Sequence, residues 1–248
     1  MGKRVRKIER NALDVEEKTI KSEKAYEKVV AYIKQEIWQG SLKRGDSLPP
    51  ERDLAQLLGV SRNSVREALR TMSLMGFISS VQGAGNFVSC NLENNLSESI
   101  RMMMLLGETN YMQISQLRRG MESEMVLLAA ARITPKQTAR LLELARQMKR
   151  EENAEKASRL DQQYHNLLCE ACGNKLIQAI YSAMVSTVDE FIGTMYVRIV
   201  ADPEKRDRLL DAHEEIAEAL QRREGPAAEQ AMQKHFRVVD ETIRQMGG

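Results

Sequence analysis

The sequence predicts a mainly α protein in two parts: a small N-terminal module of short helices closed by a two-stranded ribbon, then an all-α helical bundle. Three observations carry that expectation. Between Leu48 and Val88 two short apolar periodicities of helical spacing meet at Gly59. After Gly76 they give way to β-prone residues around a Gln82-Gly83-Ala84-Gly85 turn. From about Leu96 onward, every segment repeats its apolar residues at helical spacing. At 248 residues the chain can bury two cores.

The elements follow in order. Met1 to Lys21 mixes Lys3, Arg4, Arg6 and Lys7 with acidic residues and few large apolar ones, and reads as a mobile arm. Lys24 to Gln39 is an amphipathic helix with Val29, Val30, Ile33 and Ile37 on one side and Gly40 as its stop. Glu51 to Leu58 forms the next helix, with Leu54, Leu57 and Leu58 on an apolar face and Gly59 ending it. Ser61 then caps a helix that carries Val65, Leu69, Met72 and Met75. Two helices joined by so short a glycine-containing turn form a helix-turn-helix, whose second helix places its N-terminal residues against base edges in the major groove. Those residues are Ser61, Arg62, Asn63, Ser64 and Arg66. Arg forks onto guanine, Asn bridges adenine and Ser bonds a base or a phosphate, so the run has the chemistry of base readout. Phe77 to Val81 and Asn86 to Val88 pair as a wing.

The run L-P-P-E-R-x-L-A-x-x-L-G-V-S-R-x-S-V-R-E-A-L, followed by G-F-I and Q-G-x-G-x-F-V, resembles the winged-helix domain of GntR-family bacterial transcription regulators over Tyr26 to Val88. The resemblance implies that Arg52, Arg62 and Arg66 contact DNA and that Gly83 lies at the wing tip. Ala84 stands where wings of this family often carry a basic residue. Charge divides in the same sense: residues 1–90 hold sixteen Lys and Arg against eleven Asp and Glu. A basic half suits phosphate neutralisation, the source of most non-specific DNA affinity.

Residues 91–95 read as a polar linker between a winged helix-turn-helix domain over 22–90 and a helical domain over 96–248. Leu96 to Leu106 carries Ile100, Met103 and Met104, a methionine run that belongs to a core. Tyr111 to Ile133 shows the stripe Ile114, Leu117, Met121, Met125 and Leu128. Thr134 caps the next helix with Pro135 in its first turn, and Leu141, Leu144 and Met148 form its inner face. Helices follow over Ser158 to Cys172, Lys175 to Val200, Asp202-Pro203 to Arg223, and from Gly225-Pro226 to about Met246. Cys90, Cys169 and Cys172 make no disulfide framework, and the Cys169/Cys172 pair, ending a helix, reads as small packing residues. The absence of a long apolar run argues against a membrane span, and the expected location is the cytoplasm.

All three histidines fall in the bundle. Asp161 and His165 are four apart and share a helix face, while His213 and His235 sit in the apolar stripes of their helices. Three inward imidazoles and a carboxylate suit Zn²⁺, Ni²⁺ or Mn²⁺, although helix packing alone also turns single histidines inward. The same residues are similar to the metal-holding positions of the FadR-like branch of the GntR family, whose C-terminal domain is of the FCD type. The resemblance implies a divalent metal at Asp161, His165, His213 and His235, a small carboxylic acid over it, and Arg118 beside the acid, with Arg119 as the substitute. It also implies a homodimer on a pseudo-palindromic operator, most relatives being repressors released by their ligand. A hydroxy acid, a dicarboxylate or a sugar acid is the expected effector, long acyl chains being disfavoured by an intact ligand set. Two alternatives use the same four residues: a metal-dependent hydrolase tethered to DNA, for which no separate general base is visible, and a pure metal sensor.

Overall fold

The structure, a computed structural model, describes residues 25–90 and 92–246. It divides into two compact units, Met1–Asn95 and Leu96–Gly248. The N-terminal arm expected over residues 1–21 lies outside the described residues.

The first unit holds α1 (25–38), α2 (Glu51–Leu58), α3 (Arg62–Leu74) and an antiparallel ribbon of β1 (Ile78–Val81) and β2 (Gly85–Val88). Gly59, at φ 63°, takes the left-handed turn that a Cβ would strain, and its position lets α2 end one residue before Val60 and Ser61 begin the next helix. Ser61 Oγ accepts from the Ser64 N–H, satisfying one of the free amides at the start of α3. The ribbon pairs Ile78 with Val88 and Val81 with Gly85. Residues 45–48 extend it, with Leu48 N–H donating to Asn86 O at 2.7 Å and Val88 N–H to Asp46 O at 2.8 Å. Val29, Ile33, Leu54, Val65, Leu69, Met72, Ile78 and Val88 form one buried core. Leu57, expected on the apolar face of α2, is exposed, because the buried arc of that helix is Leu54, Ala55 and Leu58. Ile37 likewise lies at the edge of solvent, beyond Val29 and Ile33.

α4 (Leu92–Leu105) begins before the boundary, and the second unit holds the rest of it with α5 (Tyr111–Arg132), α6 (Pro135–Arg150), α7 (Ala154–Cys172), α8 (Lys175–Val200), α9 (Pro203–Gln221) and α10 (Gly225–Gln245). Residues 92–95, expected as linker, are the first turn of α4. α7 starts at Ala154 rather than Ser158, because Asn153 supplies the cap by accepting from the Lys156 N–H. α5 and α6 open with reciprocal capping boxes, Asn110 with Gln113 and Thr134 with Gln137, and Asp202 and Pro203 start α9. α10 packs chiefly on α5 and α9, and α7 lies against α5, α6 and α8. Met125, Leu141, Leu168, Ile216, Met232 and Phe236 are among the side chains at its centre. Met103 and Leu117, expected inside, are exposed, while Ile114, Arg118, Glu122, Met125 and Val126 form the inward arc of α5. Cys169 and Cys172 are buried in the core without a disulfide, as expected of packing residues. Among the described residues no helix is long and apolar enough to cross a membrane.

Candidate functional sites

In the first unit the polar start of α3 faces solvent. Arg62, Asn63 and Arg66 are exposed, and so is Arg52 on α2. Arg66 reaches across the turn to Glu51, its Nε and Nη2 donating to Oε2 at 3.2 and 3.1 Å, and Arg52 Nε donates to Asp53 at 3.1 Å. Such solvated pairs are weak and exchange readily for another anion. Ser61 is exposed but its hydroxyl is engaged in the cap. Ser64 differs from the expectation: it is buried, and its hydroxyl meets Ser61 Oγ at 2.9 Å. Its place beside Val65 and Ala68 makes it part of the helix-turn-helix packing rather than of the outward face. Gly83, at φ 78°, is exposed in the turn of the ribbon.

In the second unit four helices bring Asp161 and His165 (α7), His213 (α9) and His235 (α10) together, with Arg118 and Glu122 of α5 behind them. Asp161, His165, His213 and His235 each offer a ligand atom within 4.8 Å of the others, and all are buried. The four-residue spacing on α7 accounts for Asp161 and His165 sharing a face.

Two outer contacts fix how the histidines present themselves. His213 Nδ1 lies 2.8 Å from Leu209 O. A backbone carbonyl only accepts, so Nδ1 is the donor and Nε2 of a neutral ring carries the lone pair. That Nε2 faces Asp161 Oδ1 at 2.9 Å and His165 Nε2 at 3.4 Å. On His165 the other nitrogen, Nδ1, lies 2.5 Å from Glu122 Oε2 as an ion-pair contact, which leaves Nε2 on the inward side, 3.6 Å from Asp161 Oδ1. Asp161 Oδ1 and His235 Nδ1 are buried without a hydrogen bond among the described residues. Electron pairs therefore converge on one point, the arrangement in which histidine ligands are oriented by carboxylate or carbonyl partners on their far nitrogens. A proton on His165 answers one of these contacts, whereas a divalent cation answers all of them. The residues fit such an ion.

The electrostatics agree. Burial would depress the His165 imidazole, but the Glu122 and Asp161 carboxylates outweigh it and raise the group to about 9. Burial would raise Glu122, yet the His165 and Arg118 charges hold it below its ordinary range. Asp161 is held well below the carboxylate range by His165 and His213 against the same penalty. Burial, then the neighbouring His213 and His235–His165 proximity, keeps His235 well below an ordinary imidazole. Asp161 and Glu122 thus supply the negative charge of the cluster, and His235 stays a neutral imidazole beside them.

Arg118 is 7 % exposed and Glu122 fully buried, and Arg118 Nε and Nη2 both lie 2.9 Å from Glu122 Oε1. The two residues thus form an i,i+4 ion pair inside the bundle. Arg119 is occupied elsewhere, paired with Asp240 at 2.5 Å. Arg118, Asp161 and His235 line a small pocket of about 30 Å³, otherwise walled mainly by Ile, Phe, Met and Tyr side chains of α8 and α10. Sequence reasoning missed Glu122 as the partner of His165, and Tyr196 and Phe191 as pocket walls.

A helix-turn-helix with a ribbon wing, followed by a helical domain with a buried polar centre, defines a DNA-binding transcription regulator with a small-molecule-binding domain. The chain belongs to the GntR family: the model described as bacterial regulatory proteins, gntR family, matches residues 25–88, and the FCD domain model matches residues 113–238. It is similar to the HTH-type transcriptional regulator LutR of Bacillus subtilis, 28% identical over 84% of this chain and 95% of that protein. It is also similar to the putative L-lactate dehydrogenase operon regulatory protein of Escherichia coli, 26% identical over 88% of this chain and 86% of that one. The Exu regulon transcriptional regulator of Escherichia coli is 29% identical over 85% and 81%. Among solved structures, Streptococcus agalactiae GntR has the same fold, with a TM-score of 0.59 at 22% identity, covering 87% of this chain and 99% of that one. The chain is a transcription regulator and not an enzyme, which removes the hydrolase alternative.

Proposed function

We propose that this regulator is a cytoplasmic repressor that binds a pseudo-palindromic operator as a homodimer and lets it go when a small carboxylic acid binds at a divalent metal. Asp161, His165, His213 and His235 hold the metal, and Zn²⁺, Ni²⁺ and Mn²⁺ suit such donors. The observation that carries this reading is the inward convergence of lone pairs, with His213 Nδ1 tied to Leu209 O and His165 Nδ1 to Glu122. When bound, the metal supplies a positive charge that attracts and orients an anionic head group. Arg118 lines the same pocket and supplies directed N–H donors to the acid's carboxylate. A relative whose name refers to an L-lactate dehydrogenase operon agrees with a small acid as signal.

On the DNA side Arg62, Asn63 and Arg66 read base edges at the start of α3, Arg52 and Ser61 contact phosphates, and Gly83 lets the wing tip approach the backbone closely. Ser64 is left out because its hydroxyl is committed to Ser61. Two-fold protein symmetry matches the operator's, and the acid weakens DNA binding only as far as it prefers the released form.

The test is fluorescence anisotropy of the full chain on its operator across a panel of small carboxylic acids, with the protein zinc-loaded or chelated. At least one acid lowers operator affinity in the zinc-loaded protein and not in the chelated one. Operator affinity that follows zinc and ignores every acid would make the metal itself the signal.

A further inference from the structure

We propose that Glu51 is a positioning residue for DNA readout: it holds one edge of the Arg66 guanidinium and turns the other to a guanine, so that Arg66 is the arginine set on a single base. This rests on the reading of Arg66 as a base-contacting residue and assigns its partner and its base.

Glu51 and Arg66 lie fifteen residues apart on different helices, Glu51 at the first position of α2 and Arg66 in the second turn of α3. The tight turn at Gly59 brings them together. Arg66 Nε and Nη2 both donate to Glu51 Oε2, at 3.2 and 3.1 Å. These two donors form the side edge of the planar fork, whereas the end edge, Nη1 with the second hydrogen of Nη2, is the one that matches O6 and N7 of guanine. A carboxylate on the side edge therefore fixes where the end edge points. Adenine presents a donor at N6 where guanine presents O6, so an end edge held in this way rejects it.

An acid beside the outward start of α3 repels phosphates and weakens general DNA affinity. The helix dipole alone does not call for it, because Asp53 already places an acid in the first turn of α2. Holding Arg66 gives Glu51 a use that offsets the repulsion. In water such a pair is weak. Docked DNA displaces the water around it, so the brace tightens as the base is read. The neighbouring arginines differ. Arg62 has no carboxylate partner among the described residues, and Arg52 donates through Nε alone, to Asp53. Neither is held along a whole edge, so neither is set on one base in the same way.

The experiment is selection of duplexes by the full chain from a pool with a randomised core of about twenty base pairs, room for two half-sites a helical turn apart. Wild type, Glu51→Ala, Glu51→Gln, Arg66→Ala and the double alanine variant are then titrated by anisotropy on the best wild-type duplex, its single-base variants and an unrelated duplex. Wild type demands one guanine in each half-site that Arg66→Ala no longer demands. Glu51→Ala lowers the preference for that guanine about tenfold, and Glu51→Gln, which keeps one acceptor, lowers it less. In the Arg66→Ala background, loss of Glu51 changes the preference no further. Affinity for the unrelated duplex does not fall, because an acid has left the DNA face. A residue that served only to hold α2 would instead lower melting temperature and weaken every duplex alike. That pattern, an unchanged preference, or a loss that adds to that of Arg66→Ala would overturn the inference and leave Arg66 as a base contact. A wild-type chain with no guanine that depends on Arg66 would overturn both.

Discussion

The arginines of the first unit and the arginine of the second live under opposite conditions. Arg66 leans on Glu51 with about two-thirds of its side chain in water, 65 % exposed, whereas Arg118 meets Glu122 with 9 % exposed. On the surface, water already neutralises each charge, so the pair is weak and the arginine is available to a polyanion. In the bundle each charge depends on the next: Arg118 on Glu122, Glu122 on His165, His165 on Asp161. The chain of dependence ends at Asp161 Oδ1 and His235 Nδ1, buried without a hydrogen bond among the described residues. Exposure thus keeps a recognition surface general and exchangeable, while burial prescribes what must come in.

Breaking each pair measures that difference. Arg118→Ala strands the Glu122 carboxylate in the core and lowers unfolding free energy in urea by about 3–5 kcal/mol. A loss no larger than that of a surface variant would mean that water reaches Glu122. Glu122→Gln keeps an acceptor for Arg118 but weakens the orientation of His165, and zinc affinity falls by roughly 10–100-fold in a competition titration. Unchanged zinc affinity would assign Glu122 to packing alone. Arg66→Ala gives the mirror image, with stability moved by no more than about 1 kcal/mol and operator affinity reduced by roughly 1–3 kcal/mol with relaxed sequence preference. Equal affinity for all operators before and after would remove Arg66 from base readout.

Legibility followed the same line. α2 and α8 begin and end where the sequence placed them, because Gly59, Gly173 and Asn174 are local signals acting within a turn of each helix end. The four candidate metal ligands were visible because histidines are few and two of them interrupt apolar stripes. The inner arc of α5 was visible only in part, through Ile114 and Met125, which are buried as the stripe predicts. Leu117, Met121 and Leu128 offered an apolar stripe, and nothing local to α5 says that Arg118 and Glu122 would turn inward in place of Leu117. The reason lies on α7, in His165, and becomes apparent only when the helices are packed together. Tyr196 was hidden for a similar reason. Its spacing on α8 is that of any core aromatic, and its place on a pocket wall emerges only from the assembled helices. Ser64 has a side chain whose type suits DNA contact, while its burial is decided by the turn it closes with Ser61.

The most direct measurement is metal content and melting temperature of the chelated and zinc-restored chain, beside His213→Ala. Wild type takes up one ion per chain, and at a thousand times its dissociation constant zinc adds about 4 kcal/mol to the folded state, seen as a clear rise in melting temperature. His213→Ala folds but shows neither uptake nor rise. A chelated wild-type chain that melts at the same temperature with or without Zn²⁺, Ni²⁺ or Mn²⁺, and retains none of them, would contradict the reading of the converging lone pairs as a metal centre.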